Sequence, residues 1–355
     1  MAALTLVSCS SDDLDSVSDN SSKNEAISFD GYLGRSAVAV NGSRGSEVKI
    51  DQLKTGGFGV FGNYSKETTT AYGNSLFDNQ QVTYDNDKSK WTYSPLKFWP
   101  SDGHIDFLAY APYNAGTFEN TYHLKFNVSE TITKQKDLLY AKTVGQTMAK
   151  NSGTNKVSFK FNHALSRLGY SVKLNGTCSP DATITLKKIT LAGSAPEPTT
   201  GTTTEPTGAF HKTGTIDLST GNWTTTSDKQ AFKWFSAETL GSQSITFTSA
   251  FNTSTSNKTY TNKDDEYLFV IPQNFSGTNE LYVIVEYTIQ YTGVKGPDGQ
   301  PATMTNKVYK QLSYNFEQGK AYTINLTIGR PIDFDVNAEI TPWEKDTTIP
   351  EIPMD

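Results

Sequence analysis

Any chemistry in this chain would have to come from four histidines, two cysteines and a few carboxylate groups, and their spacing argues against catalysis. His104, His123, His163 and His211 lie far apart, with no H-x-x-x-H or Cys/His spacing that would gather a metal. The tightest carboxylate group, Asp264-Asp265-Glu266, reads as a solvated turn. Glycosidase pairs need not be close in sequence, but no particular pair is nominated. Asp85 and Asp87 in YDNDKSK lack the glycine and closing glutamate of a calcium loop, so they read as a solvated turn too. GGFGVFG, from Gly56 to Gly62, has neither the lysine nor the following helix of a phosphate loop. Its glycines beside Phe58, Val60 and Phe61 suit a bulged or closely packed strand. His163, in an apolar strand, reads as a hydrogen-bonded core residue. The sequence thus names no catalytic residue, no metal site and no cofactor, and an enzyme is not expected.

The cysteines point to a compartment instead. Cys178 stands alone in NGTCSP, with no evident partner. Cys9 closes Leu6-Val7-Ser8-Cys9, a lipobox in which small residues admit the processing peptidase and the thiol takes a lipid. The stretch before it is shorter than a signal peptide and lacks a basic start, so the motif either ends a longer leader or is a chance match. The next residues, SSDDLDSVSDNSSKNE, are polar and acidic, suited to a tether that lifts a domain off a membrane.

The elements that would position these residues are strands. Tyr, Phe and Trp number 18, 19 and 5 and threonine is abundant, which favours sheet over helix, while 27 glycines and 14 prolines supply turns. A net charge of −6 without a basic cluster argues against nucleic acid as a partner. No apolar run approaches the roughly 20 residues of a membrane helix.

In the middle of the chain, VSFKFNHALSRLGYSVKL puts Val157, Phe159, Phe161 and Leu165 at odd positions, then Leu168, Tyr170, Val172 and Leu174 at even ones. A change of parity turns the buried face over, so a bulge or crossing near Ser166-Arg167 should carry the chain from one sheet to another. Residues 182–191 shift parity in the same way, Ile184/Leu186 and then Ile189/Leu191. Residues 26–33 alternate as a first strand, and GRSAVAVNGSRGS then links it, with Arg35 and Arg44, to the rest. The only hint of helical periodicity is at 130–142. Many short strands between turns predict an all-β chain of two tandem β-sandwich domains, transthyretin-like or Greek-key, with few short helices. The boundaries are 1–24 for the lipobox and tether, 25–156 for the N-terminal sandwich and 157–355 for the C-terminal one.

Four stretches carry a resemblance. F-x-F-x-H-A-L-S-R-L at Phe159–Leu168, and Trp99-Pro100 followed by F-x-A-Y-A-P at Phe107–Pro112, are the first two. The others are G-K-x-Y-T-x-N-L at Gly319–Leu326 and an ending that alternates Ile332, Phe334, Val336, Ala338 and Ile340 before Trp343. In this order they resemble the fimbrillin family, the type V pilins of Gram-negative gut and oral anaerobes, over nearly the whole chain.

The resemblance implies a structural subunit of a surface fimbria, stalk or tip, active in adhesion. It implies export as a lipoprotein to the outer membrane through Cys9. An arginine-specific protease would then cut after Arg44 or Arg35 and remove the first strand. A strand from another subunit, in a homo- or hetero-polymer, would take its place. Ile332, Phe334, Val336, Ala338 and Ile340 form the apolar face of a docking strand, used within the molecule before assembly or between molecules after it. Host glycans or proteins would be further partners. The aromatic content admits a second reading, a stand-alone outer-membrane lipoprotein binding glycans on exposed rings. Trp91, Trp99 and Trp234 lie in strand contexts that favour core packing instead.

Overall fold

The computed structural model describes residues 26–33, 48–151, 156–174, 182–196, 205–236, 246–247, 260–261, 266–277, 280–328 and 335–341. Seven strands form the first sheet, in the order Ser28–Leu33, Lys156–His163, Leu139–Gln146, His104–Ala111, Phe58–Ser65, Phe77–Asp85 and Lys90–Thr92. Neighbours are antiparallel except the first pair, where Ser28–Leu33 runs parallel to Lys156–His163.

The central strand, His104–Ala111, is buried on both faces. Ile105, Phe107, Ala109 and Ala111 point into one core, and Leu108 and Tyr110 into another. That is why its sequence reads as a nearly unbroken apolar run rather than a clean alternation. The exception, Asp106, is buried and satisfied: it accepts the backbone N–H groups of Ala71 and Gly145 at 2.8 and 2.7 Å and meets His104 at 3.2 Å.

The chain leaves this sheet at His163 and joins a second at Ser166, where the parity of its apolar residues changes. Ser166–Leu174 runs parallel to Ala321–Ile328, which pairs antiparallel with the tail strand Asp335–Thr341. A third sheet has Phe232–Ser236, Ala182–Ala192, Tyr282–Lys295 and Pro301–Gln311 in that order. The parity shift in Ala182–Ala192 takes the form of a bulge between Leu186 and Lys188, which keeps Ile184, Leu186, Ile189 and Leu191 all in the core. Tyr170, Val172, Ile324 and Leu326 of the second sheet and Val283, Val285 and Tyr287 of the third share one core, as the two layers of a sandwich do.

A further sheet crosses the sequence boundary. Thr117–Asn120 and His123–Asn127 pair with Thr213–Asp217 and Trp223–Thr225 in a four-stranded antiparallel sheet. The Trp223 indole adds a hydrogen bond to the Ala164 carbonyl at 2.9 Å. Residues on both sides of position 156 are therefore knit together rather than strung like beads.

Two local expectations need correction, and one short helix is an addition to them. The α-helix among the described residues is Ile50–Gly56, a single short run with too few residues to show a period. Around 130–142 only Ile132–Lys134 coils, as a 3-10 turn, and Leu139 already begins a strand. Glu266 is not a solvated turn residue: it is buried, and its carboxylate accepts the Tyr170 hydroxyl at 2.9 Å. Asp264 and Asp265 lie outside the described residues.

The glycine-rich run does form a strand, Phe58–Ser65, with a register shift between Val60 and Gly62. A methyl group on Gly59 would run into the Tyr110 ring. Gly59→Ala should therefore overpack the site and cost about 1–3 kcal/mol or more. Gly293→Ala, where nothing lies within 4 Å, should stay within about 0.5 kcal/mol. Urea unfolding of the two variants beside the parent checks both values.

Candidate assembly interface

The first strand occupies a slot that the rest of the sheet leaves open. On one side it pairs in parallel with Lys156–His163, Ser28 opposite Lys156 through Leu33 opposite Phe161. On the other side the Ile27 N–H donates to the Lys97 carbonyl at 2.8 Å, and Ala26 forms a bridge with Phe98. Lys97 and Phe98 come just after Lys90–Thr92, the last strand of the same sheet. The sheet thus rolls until its two ends meet across the first strand.

Alternation fixes which side chains point inward. Ile27 and Phe29 are 1% and 2% exposed, Gly31 is buried and Leu33 is half-buried, while Tyr32 faces out. The Phe29 ring lies 5.3–5.7 Å from those of Phe77, Tyr93, Phe107 and Phe159, mostly in edge or tilted contacts that aromatic pairs favour. At Gly31 the slot narrows. A β-carbon there would sit 3.2 Å from Phe58 and 3.3 Å from Phe161, tighter than ordinary packing.

Tyr93 clasps the strand from the side. Its hydroxyl donates to the Ile27 carbonyl at 2.6 Å and accepts the Lys97 N–H at 3.2 Å. Burial pushes this hydroxyl above the usual tyrosine value of 10.0, because the ionised form loses its water. A raised folded value means that the hold is complete below pH 10 and is lost as the pH climbs through it.

The chain beyond the link is held separately. Val48 donates its N–H to the buried Asp137 carboxylate at 3.1 Å, and His163 meets the same oxygen through Nδ1 at 2.7 Å. His163 is thus a hydrogen-bonded core residue, as its setting predicts. Lys49 donates its N–H to the Gln52 side chain at 3.1 Å, opening the helix Ile50–Gly56, whose Leu53 is fully buried in the same core as Phe29. The helix stops at Gly57, which adopts φ 63°, a conformation that favours glycine. Arg35 and Arg44 lie outside the described residues, between the two anchored ends at Leu33 and Val48.

Among the described residues the tail strand is the edge of the second sheet. Val336, Ala338 and Ile340 pair with Leu326, Ile324 and Tyr322. Ala338 packs partly against the core, and Ile340 is 56% exposed. Ile332 and Phe334 lie outside the described residues, as do Cys9 and Cys178. Trp91, Trp99 and Trp234 are buried at 8%, 3% and 0%, so none offers a face to a sugar ring. Among the described residues no group of His, Cys, Asp or Glu is placed to hold a metal, and no helix is long and apolar enough to cross a membrane.

Sequence reasoning missed Tyr93 as a clasp, Asp137 as an anchor and Gly31 as a constriction. Only Asp137 left a trace, an acid set directly against the apolar run Leu138-Leu139.

The sequence pattern of the fimbrillin-like family matches residues 48–343. No curated protein matches the chain. Among solved structures, a fimbrial protein from Bacteroides vulgatus has TM-score 0.63 at 23% identity, covering 90% of this chain and 99% of its own. A candidate cell adhesion protein from Bacteroides uniformis has TM-score 0.48 at 16% identity, covering 91% and 100%. The fimbrial anchor protein Mfa2 from Porphyromonas gingivalis has TM-score 0.31 at 10% identity, covering 90% and 97%. The first of these shares the fold. With its family pattern spanning most of its length, from Val48 at the far side of the link to Trp343 beyond the tail strand, the chain belongs to the fimbrillin-like family.

Proposed function

We propose that this protein is a structural subunit of a surface fimbria, assembled by strand exchange. The observation that carries the reading is the first strand, which fills a slot in the sheet with Ile27 and Phe29 yet joins the body only through the arginine-bearing link. Cutting that link after Arg44 or Arg35 turns an internal strand into a bound peptide. Once it leaves, backbone groups of Lys156–His163 and Lys97 lack partners, and a strand of suitable alternation restores them.

In this reading the first sheet, which Lys156–His163 completes, receives a strand, and the tail gives one through Ile332, Phe334, Val336, Ala338 and Ile340. Cys9 carries the lipid that holds the precursor at the outer membrane, and adhesion to host glycans or proteins is the task of the assembled fibre. The family pattern supports the fimbrial role. The buried tryptophans weigh against a stand-alone glycan binder.

Digestion with an arginine-specific protease should give a new N-terminus at Gly45 or Ser36 by mass spectrometry, followed by loss of the first strand and polymer formation. A body that loses the strand and stays monomeric at high concentration would overturn the reading.

Tyr93→Phe keeps the ring but removes the donor to Ile27. Losing about 1 kcal/mol from the hold should speed release of the cut strand roughly fivefold in a displacement assay. Asp137→Ala acts elsewhere. It strips Val48 and His163 of a buried acceptor and should lower the stability of the uncut protein by about 2–4 kcal/mol in urea.

A further inference from the structure

We infer that the constriction at Gly31 is a size gate which fixes how the tail strand of a second copy seats in the vacated slot: Ala338 in the place of Gly31, Val336 in that of Phe29 and Ile340 in that of Leu33. The inference rests on the strand-exchange reading above and adds to it a register, a direction and a residue that sets specificity.

The walls of the gate belong to the body and stay when the first strand leaves. Phe58 and Phe161 lie 3.2 and 3.3 Å from where a β-carbon at position 31 would stand, and Leu53 lies 3.8 Å away. A methyl group fits if the rings give by a few tenths of an ångström. A branched or aromatic side chain does not. Of the alternating apolar residues in the tail sequence, Ile332, Phe334, Val336, Ala338 and Ile340, alanine alone is small enough. Slipping by two residues sets Val336 or Ile340 against the rings, and slipping by one turns Asp335, Asn337 and Glu339 into an apolar core.

Direction is set by Lys97. Its carbonyl accepts the Ile27 N–H at 2.8 Å. Run in the direction of the first strand with Ala338 at the gate, the tail brings Phe334 to that carbonyl with an N–H to give. Run the other way, it brings Pro342, which has none. The occupant is a second copy because the tail is bonded along one side alone among the described residues, with Ile340 56% exposed, so a neighbour can draw it away.

The seating leaves a space at the place of Phe29. Phe29 touches four rings at 5.3–5.7 Å, and valine in its place leaves part of that space empty. Enlarging residue 336 should therefore tighten the fit, while enlarging residue 338 should abolish it.

The test uses the full chain cut in its link by an arginine-specific protease, with synthetic tail peptides spanning Pro331 to Trp343 as the probe. Binding is read as displacement of the first-strand fragment. The parental peptide should displace it, Val336→Phe should do so at least tenfold more tightly, and Ala338→Phe at least tenfold less. A cut chain carrying Phe161→Leu, with a wider gate, should recover binding of an Ala338→Leu peptide, which no folding defect of the peptide could mimic. If Val336→Phe weakens binding and Ala338→Phe leaves it unchanged, the register is wrong while strand exchange stands. If the cut chain polymerises yet takes no tail peptide, the occupant is another segment and the inference fails. If it neither polymerises nor takes a peptide, the exchange reading itself falls.

Discussion

A β-strand with one side unpaired is a row of hydrogen-bonding groups in search of partners, and the molecule is arranged around one such row. Lys156–His163 pairs with Leu139–Gln146 only near its end, through Leu139 and Tyr140, and along its other side depends on the first strand. Without that strand, the rolled sheet has an open seam and the Phe77, Tyr93, Phe107 and Phe159 rings line a trough. Burial of a peptide's apolar side chains and pairing of its backbone are then satisfied together or not at all.

The body has anchors of its own that do not pass through that strand. Its own beginning is tied at Val48 to Asp137, and Leu53 is fully buried, 3.8 Å from where a β-carbon at position 31 would stand. The two anchors, Tyr93 for the first strand and Asp137 for the chain past the link, share no atom. Releasing one leaves the other intact, so the link between them can be cut without undoing the helix or the strands behind it.

Much of this was legible in the sequence where alternation is long. The tail and the crossing at His163–Ser166 announce themselves by period two, and parity shifts located both the change of sheet and the bulge at Leu186. Short or doubly buried elements were not legible in the same way. The helix Ile50–Gly56 is too brief to show a period, and the Thr117–Asn127 hairpin gives no sign of which strand it will meet ninety residues on. Partners across such distances depend on tertiary packing, which leaves no local pattern. Tyr93, one aromatic among many, and Gly31, one glycine among many, acquire meaning only from the atoms around them. Glu266 was misread because a charged residue in a charged run looks solvated until a tyrosine hydroxyl is found against it.

The continuous path from Lys156 to Leu174 has a mechanical consequence. Tension applied between the slot and the tail strand would run along this one stretch of backbone, which forms the seam in the first sheet and, after two intervening residues, the parallel neighbour of Ala321–Ile328 in the second. The four-stranded sheet contributed from both sides of position 156 then acts as a brace beside the covalent tie, resisting rotation of one end against the other. If such units are joined end to end by strands held without covalent bonds, as proposed above, a thread of them would yield at its joints before its links.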